Sequence, residues 1–311
     1  MKSPDSNMPN LAQGTVNNFG SLVVERGKTE QFENLPDNSI ALDGYVRGPV
    51  FDLKRKRFSF DHHEVNRQIT RATCQQVMDA LLLGLDVGKS NVYINDIDGD
   101  TVLSVWLLHN ADKVNDRKVR MLVESVGEID AHGPAYPALD PELVEKFFQG
   151  VMKPGNDMRK NRTYVQADLN KLLEECLKNL DDLMAGKLEY VKEEKERKFE
   201  VKKEGTGWAM IESDDFIFDL VYQAGYTRAV VLGRNPDGSI SYTVAKKSEL
   251  VSNFPVGPMS KEGTILYELN KTEPGWGGGS TIGGAPRNPD GSRSHLSPEQ
   301  VFEVIEKIIN R

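Results

Sequence analysis

The chain has 311 residues, 38% of them apolar and 28% charged, with a formal net charge of −8. Such a balance suits a globular protein long enough for two domains, and the acidic excess argues against a general nucleic-acid coat, which is normally basic, while leaving room for an enzyme with a locally basic cleft. Its two cysteines, Cys74 and Cys176, lie far apart with no CxxC spacing, which argues against a disulfide framework or zinc ribbon and for a reducing, cytoplasmic setting.

Residues 1–20 are polar, rich in Asn and Pro, and read as loosely ordered, with no apolar leader; no later run reaches membrane-spanning length, so no membrane partner is expected. Residues 39–43 read as a short buried strand ending in Asp43. Extended segments at 49–52 and 57–60 lead into Asp61-His62-His63-Glu64. A helix follows from Thr73 to Leu85, with Val77, Ala80, Leu81 and Leu85 at helical spacing. A strand over 91–94 runs into Asp96-Ile97-Asp98-Gly99-Asp100, and an apolar, buried helix runs from there to His109. Residues 119–123 read as a further strand and 127–133 as a polar strand end carrying Asp130. Strands alternating with helices predict an α/β domain with a mainly parallel sheet. Ligands of such sheets bind at the carboxyl ends of the strands. Asp43, His62, Asp98 and Asp130 are all expected at those ends.

From 165 to 200 the leucines follow helical spacing and give way to the charged run 192–198. This predicts a long helix or helix pair joining two domains, with a solvated far end. Residues 207–311 predict a smaller α/β domain. Its marks are a hairpin turn at Asn235-Pro236-Asp237-Gly238, a glycine-rich loop over 276–287, and a final helix capped by Ser297 with Pro298 behind it. The expected boundaries are 1–20 for the terminus, 21–155 for a metal-binding domain, 156–205 for a helical linker and 206–311 for a substrate-binding domain.

Three constellations carry chemistry. The pair His62-His63, behind Asp61 and the basic run 54–57, suits one imidazole on a metal and one toward a phosphate, with Asp61 holding a ring tautomer; a solvated strand end would look the same. Asp96, Asp98 and Asp100 fail the EF-hand pattern, because Thr101 and Leu107 stand where Gly and Glu are required. Asp100 also interrupts the Asp-x-Asp-Gly-Thr order of a haloacid-dehalogenase nucleophile loop. Carboxylates so close repel one another unless a cation neutralises them, so the triplet is costly without metal. The loop Trp276 to Arg287 holds five glycines, and its open backbone N–H groups together with Arg287 could take an anion; a flexible loop is the plain alternative.

Together these residues resemble the DHH phosphoesterase superfamily. Asp96-Ile97-Asp98-Gly99-Asp100-Thr101-Val102-Leu103-Ser104 is similar to its Asp-x-Asp-x-Asp-Gly-x-x-Ser motif, with Thr101 in place of glycine, and Asp61-His62-His63 matches the signature that names the family. Asp43 before Gly44 looks like the lone aspartate that bridges two metals, and Asp130 like the late aspartate ligand. The stretch from Asp43 to Glu64 is also similar to the Myg-type nuclease branch. Residues 206–311 resemble the DHH-associated C-terminal domain, with Ser280 where that family commonly has histidine. In the usual family order the Asp-x-Asp motif comes first, whereas here it follows the histidine pair.

The resemblance implies a hydrolase using two Mn²⁺ or Mg²⁺ ions to cleave phosphodiester or phosphate-ester bonds of nucleotides or short single-stranded oligonucleotides. Asp43 would bridge the ions; His62, Asp96, Asp98, Asp100 and Asp130 would ligate; His63 would face the substrate, with Asp61 behind it. Gly277, Gly278, Gly279, Ser280 and Arg287 would hold the substrate end, and a homodimer is admitted as an assembly. Two other readings stay open: a catalytically altered nucleotide- or oligonucleotide-binding protein, and an inorganic-pyrophosphatase-like hydrolase.

Overall fold

The computed structural model describes residues 19–63, 71–134, 136–161, 163–192 and 197–311. Residues 1–18, Glu64 and residues 193–196 of the charged run, named above, lie outside that set. The described residues fall into two units, within 1–131 and 138–192 and within 132–137 and 193–311.

The first unit carries β1 (Ser21–Val24), β2 (Ser39–Leu42), β3 (Val50–Asp52), β4 (Arg57–Phe60), α1 (Thr73–Leu82), β5 (Asn91–Ile94), α2 (Gly99–His109), α3 (Arg117–His132), α4 (Pro141–Lys146), α5 (Lys153–Lys160) and α6 (Leu169–Met184). Its sheet has the order β1-β5-β2-β4-β3. The first four strands pair in parallel and only the edge strand β3 is antiparallel. This is the α/β class the alternating pattern predicts, with a mixed sheet. All four residues of β2 are buried, as expected of a central parallel strand covered on both faces. Ile40, Leu42, Phe60, Val92 and Ile94 face the large core with the apolar residues of α1 and α2. Ala41 faces a smaller cluster with Leu35, Tyr45 and Val46.

Residues 119–123 and 127–133 are expected as a strand and a strand end, but 119–132 lie in α3 and Gly133 follows its end. Val119, Leu122, Val123 and Val126 are all buried. Their three-to-four spacing is one face of a helix, and a window of five residues catches too little of that period to separate it from a strand. Within the segment expected to link the domains, α6 buries Leu169, Leu172, Leu173, Cys176, Leu180 and Leu183 in the first core, so it is a packed part of that unit. It ends at Gly186, whose positive φ of 70° and N–H bond to the Leu183 carbonyl close the helix with a left-handed cap.

The second unit carries β6 (Glu200–Gly205), β7 (Trp208–Glu212), α7 (Phe218–Gln223), β8 (Arg228–Arg234), β9 (Ile240–Lys246), α8 (Ile265–Thr272), β10 (Gly277–Gly278), β11 (Ile282–Gly284) and α9 (Pro298–Ile309). Its mixed sheet has the order β10-β11-β9-β8-β7-β6. Side chains alternate as the pleat requires: Trp208, Met210, Val230 and Leu232 pack on α8 and α9, while Ala209, Ile211, Ala229 and Val231 pack on α7. The turn at 235–238 joins β8 to β9 as read from the sequence. Ser297 caps α9, and Gln300 returns the bond to its N–H.

Candidate metal centre

Three neighbouring parallel strands, β5, β2 and β4, end on the same edge of the first sheet and deliver the candidate ligands there. Asp43 follows β2 in a left-handed conformation, φ 43°, with Gly44 at φ 79° behind it. Such a conformation costs a residue with a Cβ about 1–2 kcal/mol, least for Asp and Asn. The Asp43 carboxylate accepts from the hydroxyls of Thr73 at 3.4 Å and Thr101 at 3.2 Å.

Asp98 and Asp100 come from the turn between β5 and α2. Asp98 is the N-cap of α2, its Oδ1 accepting from the Thr101 N–H at 2.8 Å. Asp100 lies buried in the first turn of α2 and serves a different helix. Its two oxygens accept the N–H groups of Thr73 at 2.8 Å and Cys74 at 2.6 Å, at the start of α1. Ala72, the N-cap of α1, has no side-chain acceptor of its own. Asp100 therefore caps α1 from outside and locks the two helices to one another around the strand ends.

His62 and His63 follow β4. The Nε2 of His62 lies 2.9 Å from Asp130 Oδ2, 3.8 Å from Asp43 Oδ1 and 3.9 Å from Asp100 Oδ2. Asp130 thus reaches the cluster, but from the last turn of α3 and not from a strand end. Gly127 makes that approach feasible: a Cβ there would lie 2.5 Å from Cγ of Gln75 on α1. Gln75 in turn donates to Glu124 and Glu128 on α3, at 2.8 and 3.0 Å.

Asp61 is fully buried and accepts from the Gly48 N–H at 2.6 Å and from His63 Nδ1 at 2.7 Å. Burial by itself would raise its pKa, but the bonds from His63 and Gly48 outweigh it and hold the carboxyl below its ordinary value. An ionised carboxylate can only accept, so Nδ1 of His63 is the donor and Nε2 is left for other work.

The ligand atoms of Asp43, His62 and His63 lie within 4.8 Å of one another, and so do those of His62, Asp100 and Asp130. Electrostatics marks Asp43 and Asp100 of these groups and, beside them, Asp98, which neither group includes. Burial, then the charges of Asp98, Asp100 and Asp130, push the Asp43 carboxyl well above its ordinary value. Burial and the Asp130 charge raise Asp98. Asp100 is raised to about 7, first by burial and then by Asp130 and Asp98. Each is a group made reluctant to ionise by desolvation and like charge, and a cation placed among them reverses both effects. Oxygen donors in excess with one or two imidazoles suit a hard or borderline divalent ion, so the residues fit the metal that the sequence resemblance implies.

Asp96 does not belong to either group. Its carboxylate accepts from the Tyr164 hydroxyl and from the Ile97 N–H, the latter at 2.9 Å. Both Asp96 and Tyr164 line a cavity of about 390 Å³ shared with Asp43, His63 and Asp98. Two guanidiniums, Arg26 and Arg47, also line it. Neither arginine, nor Tyr164, nor the hydroxyls of Thr73 and Thr101 was singled out from the sequence. The one signal for Arg26 was its place after the apolar run Leu22-Val23-Val24, which forms β1 and ends beside β5.

Gly277, Gly278, Gly279, Ser280 and Arg287 belong to the second unit. Gly277 and Gly278 pair with Gly284 and Gly283 in the edge hairpin β10–β11. Gly278 has φ 149°, and a Cβ there would collide with the backbone of Ile282 and Gly283; one on Gly283 would collide with Leu266. Close backbone packing accounts for these two glycines, whereas a Cβ on Gly277 or Gly279 would meet nothing within 4 Å. Among the described residues no helix is long and apolar enough to cross a membrane. No known protein-family model matches the chain, and a search of the curated proteins finds no match either.

Proposed function

We propose that the chain is a divalent-metal-dependent phosphoesterase of the DHH type. The observation that carries this reading is the convergence of Asp43, His62, Asp100 and Asp130 at one sheet edge, with Asp43, Asp98 and Asp100 all held above the ordinary carboxylate range by burial and by one another. The motif-by-motif likeness of Asp61-His62-His63 and Asp96 to Ser104 supports it. So does the parallel order β5-β2-β4, since neighbouring strands bring the same ends together whichever motif comes first in the chain.

In this reading Asp43, His62, Asp98, Asp100 and Asp130 hold Mn²⁺ or Mg²⁺. When bound, the ions supply Lewis acidity toward phosphoryl oxygens and lower the pKa of water. His63, which lines the cavity and is held by Asp61 through Nδ1, hydrogen-bonds the leaving oxygen of a phosphate ester through Nε2 and gives it a proton. Thr73 and Thr101 fix the Asp43 carboxylate through their hydroxyls. Asp96 acts through Tyr164, tying down the turn that carries Asp98.

The test is hydrolysis of pyrophosphate, nucleotides and short oligonucleotides by the purified chain with and without Mn²⁺. Asp98→Ala is expected to lower the Mn²⁺-dependent rate at least about a hundredfold, because it removes a ligand rather than a group behind one. Undiminished hydrolysis by that variant sinks the assignment.

A further inference from the structure

The cavity that opens on the acidic centre also contains positive charge that the ligand set does not use. Its lining joins Asp43, His63 and Asp98 to the guanidiniums of Arg26 and Arg47, and its volume of about 390 Å³ falls at the small end of the roughly 300–1,000 Å³ of small-molecule sites. Arg26 donates one N–H to the Ala167 carbonyl at 2.7 Å, and among the described residues no carboxylate forms an ion pair with it. Its remaining donors form the planar fork that matches phosphate oxygens.

Tyr164 also lines the cavity, but its ring is already engaged. The Cζ of Arg159 lies 4.0 Å from the ring centroid and that of Arg26 5.2 Å. Its hydroxyl is held by Asp96. A nucleobase that stacked on a ring face covered by either guanidinium would have to displace it. Gly27 and Gly44, both in left-handed turns, leave further lining without side chains, with room for a compact polyanion.

Resting on the phosphoesterase reading, we propose that Arg26 and Arg47 hold a second phosphoryl group of the ligand, beyond the one that faces the acidic centre. The favoured compounds are then condensed phosphates or nucleotides with a terminal phosphate, chosen by the spacing of two anionic groups and without regard to the base.

Calorimetric titration of the full-length chain in Mn²⁺ with imidodiphosphate and with inorganic phosphate tests this. Both bind the metal, so the informative quantity is the ratio of the two affinities, compared between proteins. That ratio is expected to fall about tenfold in Arg26→Ala and in Arg47→Ala, the order of one hydrogen bond to a charged group. Arg26→Lys should recover part of it, since it restores the charge without the fork. The Tm of each alanine variant, measured beside the ratio, separates recognition from a folding defect, such as one caused by losing the Arg26 contact to Ala167. A ratio unchanged in either alanine variant overturns the proposal, as does tight preference for ADP over UDP. If the ratio falls as stated while no phosphate ester is hydrolysed, the anion site stands and the phosphoesterase reading falls.

Discussion

Glu306 in the second unit and the cluster of Asp43, Asp98 and Asp100 in the first are carboxylates treated in opposite ways. In the second unit Glu306 accepts from the Thr206 N–H at 2.7 Å, the Trp208 indole at 2.6 Å, the Thr206 hydroxyl at 3.0 Å and the Asn310 amide at 3.1 Å. Burial works against it, yet these donors hold its pKa below the ordinary value. In the first unit Asp43, Asp98 and Asp100 also accept hydrogen bonds, but they face one another and Asp130, and their pKa values rise. A carboxylate surrounded by donors is already satisfied by the fold. A carboxylate surrounded by carboxylates has its compensation still to come, and a cation is the natural source of it.

Changing Asp43 probes that contrast most strongly. Asp43→Asn keeps the shape, and asparagine tolerates the left-handed backbone. Thermal unfolding without metal at pH 8 should show a higher Tm than wild type, because one repelling charge is gone, while the rise in Tm on adding Mn²⁺ should vanish. A full Mn²⁺ response in this variant would remove Asp43 from the centre.

The pH dependence has a definite sign. Asp100 has a folded pKa of about 7, above its unfolded value of 3.8. Its contribution to the stability of the metal-free chain is therefore full below pH 4 and is lost as pH rises through 7. Bound Mn²⁺ competes with those protons, so the stabilisation by Mn²⁺ should grow from pH 5 to pH 8. A response that is flat over that window contradicts the assignment of Asp100.

Asp61→Asn should act on the reaction and not on the metal. It replaces the acceptor that orients His63, and kcat should fall about 10- to 100-fold, the usual range for a group that orients a functional imidazole. Mn²⁺ affinity measured by titration should barely move.

In the second unit the effects should be on stability alone. Gly283→Ala forces a Cβ against Leu266 and to 2.9 Å from the Gly277 carbonyl, a local overpacking expected to cost about 1–3 kcal/mol in denaturant unfolding. Glu306→Gln should cost about 1–2 kcal/mol, since it weakens hydrogen bonds to a charged acceptor. Gly279→Ala meets nothing within 4 Å and should leave stability within about 0.5 kcal/mol of wild type, so any loss of substrate affinity in it would assign the hairpin a binding role.

The sequence by itself determined the local elements and most of the ligand types. Strands β2, β4 and β5, helices α1, α2 and α9 and the β8–β9 hairpin are written in short apolar runs, in the cap of Ser297 and in the turn at 235–238, because each depends on neighbours within a few residues. Asp43, His62, Asp98 and Asp100 were legible for the same reason: each follows a readable strand. The tertiary structure alone decided which ends meet. Strand order is set by pairing between segments tens of residues apart, and no local signal encodes it. It likewise decided that Asp130 arrives on a helix and reaches the cluster, with Gly127 packed against Gln75 where α3 meets α1. It turned Asp96 toward Tyr164, 68 residues away in the chain, and it placed Arg26 and Arg47 beside the acidic centre, a juxtaposition of opposite charges that exists only once the sheet has formed.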